Sequence, residues 1–269
     1  MEILGYISAV LIGVLLGLIG GGGSILTVPV LVYLFATDAV LATGYSLFIV
    51  GFTSLVGGAR AFIQKQVDFR AVSLFGIPSI LAIFIARHFL LPAIPDYIFS
   101  IGQIPIHKGS FLMLVFALLM LLAGISMLRS NHNAENDTQE VKPVVQNYKL
   151  LSLLWPGLLV GLTTGLLGAG GGFLIVPALV LLIRLPMKIA IGTSLLIIAI
   201  NSIFGFVFSI GHYHFHWELL LIFTVLAISG VFIGSYFSQK LNASILKNLF
   251  GWFVLAMGIY IIVKELFLR

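Results

Sequence analysis

Apolar segments follow one another along almost the whole chain, and this succession sets the fold class before any motif is considered. They run Ile3 to Ile19, Ser24 to Ala36, Leu41 to Phe62, Ala71 to Leu91, Ser110 to Leu128, Leu150 to Leu167, Gly172 to Ile183, Ile189 to Ile210, Trp217 to Phe237 and Ile245 to Val263. A helix needs roughly 20 residues to cross about 30 Å of hydrocarbon. Charged residues make up 9% of the sequence and hydrophobic ones 60%, whereas about a quarter of a soluble domain is charged. The chain therefore reads as a multi-pass membrane protein. The period-two alternation of a barrel is absent, so helices must satisfy the backbone internally and an all-α fold is predicted. The first segment lacks a basic leader and a cleavage pattern, and is expected to belong to the mature protein. Cysteine is absent, which removes disulfides, thiolate metal sites and thiol nucleophiles. The formal charge of +5 sits on loop Lys and Arg residues, where it sets membrane orientation rather than attracting nucleic acid.

One long polar stretch, Arg129 to Lys149, separates two halves. The expected organisation is a first membrane repeat over 1–128, a polar cytoplasmic linker over 129–149 and a second repeat over 150–269. Displacing the sequence by 148 places (161 − 13) lays "GVLLGLIGGGGSILTVPVLVYL" on "GLTTGLLGAGGGFLIVPALVLL" without a gap. The same displacement pairs Pro29 with Pro177, Gly44 with Gly192, Ser46 with Ser194 and Ser54 with Ser202. Agreement at Pro, Ser and Gly together points to internal duplication rather than shared apolar bias.

Loop charge indicates how the copies are oriented. The loop from Arg60 to Arg70 carries Arg60, Lys65 and Arg70, while its counterpart, Gly211 to Glu218, has no Lys or Arg. The preceding loops reverse the other way, with Asp38 in the first copy and Arg184 and Lys188 in the second. By the positive-inside rule the copies are expected to be inverted, with about five segments each. Arg60 to Arg70, the linker, Arg184 to Lys188 and Lys240 to Lys247 are then cytoplasmic, and Asp38, the His cluster and both termini are external. The parity holds whether the first two segments of each half cross fully or form a re-entrant hairpin.

Each copy interrupts its first apolar run with glycines: Gly20, Gly21, Gly22 and Gly23 before Ser24, and Gly168, Gly170, Gly171 and Gly172 around Ala169. The flank from Ser24 to Ala36 is short for a crossing, so two half-helices meeting at the glycines fit better. Non-helical backbone at membrane depth survives where protein or a water-filled cavity satisfies its amides. A helix restarting there presents unpaired N–H groups and a partial positive charge, which favours an anion, and glycine permits close approach. Close helix packing is the competing use of such glycines. Small polar residues form a second candidate set: Thr43, Ser46, Thr53 and Ser54, matched by Thr193, Ser194, Asn201 and Ser202. Ser46 and Ser54, like Ser194 and Ser202, share a helix face two turns apart and would line a polar path. Hydrogen bonding within and between helices is the alternative use. Arg60 and Arg87 near segment ends are expected to snorkel toward headgroups.

"HYHFH" places His212, His214 and His216 at alternate positions and is read as a solvated outer loop, not a metal site. "GLLGAGGG" resembles a dinucleotide-binding glycine pattern, but no strand precedes it, and no Gly-Lys-Ser or Gly-Lys-Thr follows the glycines to make a phosphate loop. With no enzyme constellation, no cofactor and no metal are expected.

"GGGGSILTVPVL" and "GAGGGFLIVPAL", followed by "TGYSLF" and "IGTSLL", resemble the TauE/SafE family of sulfite exporters, over nearly the whole chain. "QVDF", Gln66 to Phe69, is similar to a short family motif that the second half replaces with "HFHW". The resemblance implies secondary transport, across the plasma (inner) membrane, of a small anion such as sulfite or a sulfonate. Expected partners are the lipid bilayer and that anion, with coupling to H+ or Na+, a homodimer, and a channel in place of a carrier as open alternatives. Alternating access would come from the halves rocking or sliding against each other.

Overall fold

The computed structural model describes residues 2–21, 23–101, 104–129, 150–168, 170–182, 185–210, 215–238 and 243–267. Gly22, Ala169, Arg184, His212, His214, Lys240 and the linker from 130 to 149 lie outside these residues. The first half forms α1 Glu2–Ile19, α2 Ser24–Leu34, α3 Ala39–Ile63, α4 Phe69–Ala93 and α5 Lys108–Arg129. The second forms α6 Leu150–Leu167, α7 Gly172–Leu182, α8 Met187–Val207, α9 Trp217–Ser238 and α10 Ala243–Phe267. All the expected apolar segments are helical, so the chain is an all-α, multi-pass membrane protein.

Where ends move, there is a local cause. α3 and α4 begin before their apolar patterns because aspartates cap them. Asp38 Oδ1 accepts the N–H groups of Val40 and Leu41 at 2.9 and 3.1 Å, and Asp68 Oδ1 those of Arg70 and Ala71 at 2.9 and 3.0 Å. Each thereby satisfies donors that a helix start leaves open. Hydrophobic patterning does not foreshadow the antiparallel hairpin of β1 Tyr97–Ile101 and β2 Ile104–His107, in which Tyr97 faces His107. Nor does it mark the π-turn over Ala86–Leu90 that widens the end of α4.

Among the described residues, α3, α4, α8, α9 and Lys108–Ser126 of α5 are long and apolar enough to cross a membrane. α2, with 11 residues, is only about 16 Å long at 1.5 Å per residue. It folds back along α1 rather than continuing it. Phe35, just past α2, meets Tyr6 at 5.7 Å between ring centroids and fills the space beside Gly5, near the start of α1. The first pair is therefore a helical hairpin with the glycine break at its tip.

The main helix pairings all join the two halves: α1 with α9, α4 with α6, α3 with α8 and α5 with α10. Exchanging the halves turns the first pairing into the second and leaves the other two unchanged. In α1 and α9, Gly13 and Gly17 sit on the backbone of Ala227 and Val231, while Gly230 and Gly234 sit on that of Val10 and Val14. α6 repeats the device, with Gly157 and Gly161 against the carbonyls of Phe75 and Ser79. Small residues allow the close approach that holds helices together where lipid removes the hydrophobic drive. α3 and α8 run antiparallel, with Gly58 against Leu196, Gly51 against Ile203 and Gly205 against Leu47.

Interlocking extends to the loops. On one face the Asp68 N–H donates to Thr193 Oγ1 at 2.9 Å, and on the other the His216 N–H donates to the Tyr45 hydroxyl at 2.7 Å. These bonds are equivalent under the 148-place displacement (216 − 68 and 193 − 45), with the donor and acceptor halves swapped.

Candidate functional site

Each helical hairpin turns on glycines whose backbone is closed to other residues. Gly20 has φ +84°, and Gly168, Gly170 and Gly171 have φ of +71°, +65° and +69°, the left-handed region that glycine enters without a Cβ penalty. Gly23 is instead in the right-handed helical region and precedes α2 with no side-chain cap. Each tip reaches into the other half. Gly20 lies against Ile191 and Gly168 against Thr43, residues that correspond under the repeat.

The tips also meet each other. A Cβ on Gly172 would stand 2.5 Å from Gly21 Cα and 2.6 Å from its carbonyl oxygen. Gly21 and Gly172 thus serve packing of break against break, and the same packing brings the starts of α2 and α7 together. The Ser24 hydroxyl donates to the Gly21 carbonyl at 2.7 Å, which closes the first turn upon itself. Gly22 lies outside the described residues.

The polar candidates divide into two groups. Thr53 donates to the Ile49 carbonyl at 2.5 Å, Ser194 to the Ile191 carbonyl at 2.8 Å, and Thr193 is the acceptor for Asp68. These side chains have local structural partners. By contrast, Ser46 Oγ, Ser54 Oγ, Ser202 Oγ and Asn201 Oδ1 are buried with no hydrogen-bond partner among the described residues. All four residues are 0% exposed. A buried polar atom left unsatisfied costs about 1–3 kcal/mol, so such a set calls for a ligand or water. Asn201 also donates through Nδ2 to Ser79 Oγ at 2.6 Å, which fixes its amide and leaves the oxygen directed elsewhere. Ser202 Oγ borders the second break, 2.9 Å from where a Cβ of Gly170 would be. Thr27 Oγ1 and Thr164 Oγ1 share this unpartnered state among the described residues. Thr164 abuts Gly171, and its proximity to the tip is a feature that hydroxyl spacing alone does not display.

Arg87 departs from the expectation of a snorkelling side chain. It is 3% exposed, lies in the π-turn of α4, and donates from Nη2 to Thr43 Oγ1 at 3.0 Å. Thr43 in turn packs on Gly168. A cation is therefore held inside the protein one residue's reach from the second break, at the kind of helix distortion often found at functional sites. One signal for this is available in the sequence, since Phe89 to Leu91 continue the apolar run beyond Arg87. Arg60, also expected to snorkel, is half-buried and lines a cavity reaching Gly17. No group of three or more His, Cys, Asp or Glu that could hold a metal occurs among the described residues. His216 is exposed, and His212 and His214 lie outside the described residues.

Residues 6–261 match the family described as Sulfite exporter TauE/SafE. The chain is 33% identical over 258 residues to a "Probable membrane transporter protein" of Xylella fastidiosa (strain Temecula1), covering 94% of this chain and 91% of that protein. It is 27% identical over 278 residues to "Probable membrane transporter protein YunE" of Bacillus subtilis (strain 168), covering 97% and 99% of the two chains. A match to "Probable membrane transporter protein MJ0441" of Methanocaldococcus jannaschii is 38% identical over 118 residues, 40% of this chain and 43% of that one. No solved structure has significant similarity to the chain.

Proposed function

This chain belongs to the sulfite exporter TauE/SafE family of membrane transporters, and we propose from that membership that it is a secondary carrier of a small sulfur-containing anion, sulfite or a sulfonate. The observation that carries the proposal is the set of buried atoms without a partner among the described residues, Ser46 Oγ, Ser54 Oγ, Asn201 Oδ1 and Ser202 Oγ, on the two helices that cross beside the touching glycine breaks. Hydroxyl donors and helix N-termini are neutral groups that stabilise an oxyanion and release it again. Arg87, buried beside Thr43, adds a positive field near the second break.

In this reading the two halves are inverted across the membrane, as the antiparallel course of α3 and α8 and the reversed loop charges favour, and the protein sits in the plasma membrane. The moving bodies differ from the repeats themselves. Rocking one half against the other would strip α1 from α9 and α4 from α6, so the mobile units combine helices of both halves. Coupling to H+ or Na+ would supply the drive.

Counterflow in proteoliposomes tests the function. Saturable uptake of radiolabelled sulfite or a sulfonate, accelerated by unlabelled anion on the opposite side, is expected. Linear, uncoupled conductance would replace the carrier by a channel, and absence of flux for sulfite, sulfonates, sulfate and thiosulfate would sink the anion reading.

A further inference from the structure

A cavity of about 70 Å³ opens where the end of α3 meets the start of α8, and among the residues that line it are Arg60, Gln64, Gln66, Lys188, Ser235 and Ser238. Among the described residues its lining contains two cations, two amides and two hydroxyls, and no carboxylate. At 10–15 Å³ per water in this measure, such a space holds on the order of five waters, or a small hydrated ion. Gly17 and Ile191 also line it, and Ile191 is the residue against which the first break turns at Gly20. The cavity and the first break therefore share Ile191 as a wall residue.

The pair of cations, Arg60 and Lys188, is not duplicated. Under the 148-place displacement Arg60 is matched by Phe208, Lys188 by Val40 and Ser238 by Leu90, while Ser235 is matched by the buried Arg87. Duplication alone would give both faces the same lining. On the opposite face these four positions carry Phe208, Val40, Leu90 and the enclosed Arg87, while His212 and His214, the counterparts of Gln64 and Gln66, lie outside the described residues. Asp68 lies nearby, but its Oδ1 caps α4. Positive charge at the mouth of a low-dielectric cleft raises the local concentration of anions.

We propose that this cavity is an anion-loading site, in which a small oxyanion is held between Arg60 and Lys188 before it reaches the first glycine break. The proposal rests on the carrier reading for its purpose, although the site itself is measurable without transport. The chain has no cysteine, so Ser235→Cys introduces a single thiol into the cavity wall.

The test compares a sulfonate-bearing methanethiosulfonate with a trimethylammonium-bearing one on Ser235→Cys in maltoside micelles, with 2-mercaptoethanol as the neutral reference thiol. The sulfonate reagent is expected to be favoured by about tenfold over the reference ratio, from two nearby cations in a poorly screened site. Arg60→Gln with Lys188→Gln should return the ratio to the reference, whereas Arg70→Gln, an exposed change in the first turn of α4, should leave it raised. Sulfate should slow labelling more than chloride at equal ionic strength. A reagent ratio equal to the reference, or one unmoved by the double substitution, overturns the proposal. So does slowing by added phosphatidylglycerol but not by sulfate, which would assign the cavity to a lipid headgroup. Should Ser235→Cys fail to fold, Ser238→Cys in the same wall gives the same comparison. Because labelling needs no flux, a failed counterflow assay and a failed loading site give different results.

Discussion

Replacing Gly172 by alanine tests whether the two glycine breaks touch. In an unconstrained helix this change is favourable by about 1 kcal/mol, and Gly172 has no positive φ to forbid a side chain. The added Cβ would nevertheless lie 2.5 Å from Gly21 Cα and 2.6 Å from Ile198 Cδ1. Ordinary carbon contacts are about 3.5–4.0 Å, so the breaks must separate by about 1 Å. Ile198 can turn aside, but the Gly21 backbone cannot. Overpacking of this kind costs about 1–3 kcal/mol, which outweighs the propensity gain and leaves a net loss near 1 kcal/mol. The functional effect should be larger, since misplacing a polar constellation by about 1 Å can reduce a rate on the order of 100-fold. Gly76→Ala is the matched control. A Cβ there meets nothing within 4 Å, so it should gain up to about 1 kcal/mol and transport normally. Melting temperatures in detergent and initial rates of sulfite counterflow read both quantities. A Gly172→Ala protein as stable as Gly76→Ala, with unchanged flux, would refute the contact and the reasoning built on it.

Other consequences follow the same logic. Ser202→Ala removes a hydroxyl with no partner among the described residues, so stability should hold or rise by about 1 kcal/mol while KM increases several-fold. Ser194→Ala, which loses only a back-bond to Ile191, should leave KM alone; equal KM effects would contradict the division of the hydroxyls. Arg87→Met should abolish counterflow, and Arg87→Lys should restore little of it, because a compact ammonium does not reproduce the planar guanidinium whose Nη2 reaches Thr43; full activity in either would remove Arg87 from the site. Thr193→Val and Tyr45→Phe each delete one loop clamp, and each should cost about 1 kcal/mol in thermal stability. Being on opposite faces, the two losses should add, and a double variant no worse than the singles would argue against separate clamps.

The helices were largely legible in the sequence because each is an unbroken apolar run with a polar or glycine boundary. The doubled "GGGGSILTVPVL" also located both breaks, since glycine clusters in apolar runs have few physical uses. That α1 and α2 form a hairpin depends instead on Phe35 returning to Tyr6 and Gly5, a contact between residues about 30 apart that periodicity does not encode. Which hydroxyls are satisfied was equally hidden. Ser46 and Ser194 are repeat equivalents, yet Ser194 bonds to its own helix and Ser46 has no partner among the described residues; the difference is one of rotamer and neighbours. Arg87 sits near a segment end, where snorkelling is the usual outcome. Its π-turn instead packs against α6 and its guanidinium bonds to Thr43, an arrangement set by tertiary packing rather than by local propensity.

The pairing of α1 with α9 also constrains how the molecule is made. α9 begins at Trp217, so about 200 residues must be synthesised after α1 before its partner exists, which takes roughly 10–40 s at 5–20 residues per second. During that interval the glycine face of α1 is exposed to lipid or to the insertion machinery, with α2 as its companion through Phe35. A nascent first half is therefore an unfinished surface rather than a folded domain. Severing the linker after synthesis should be tolerated, whereas delaying the second half should expose the first to degradation.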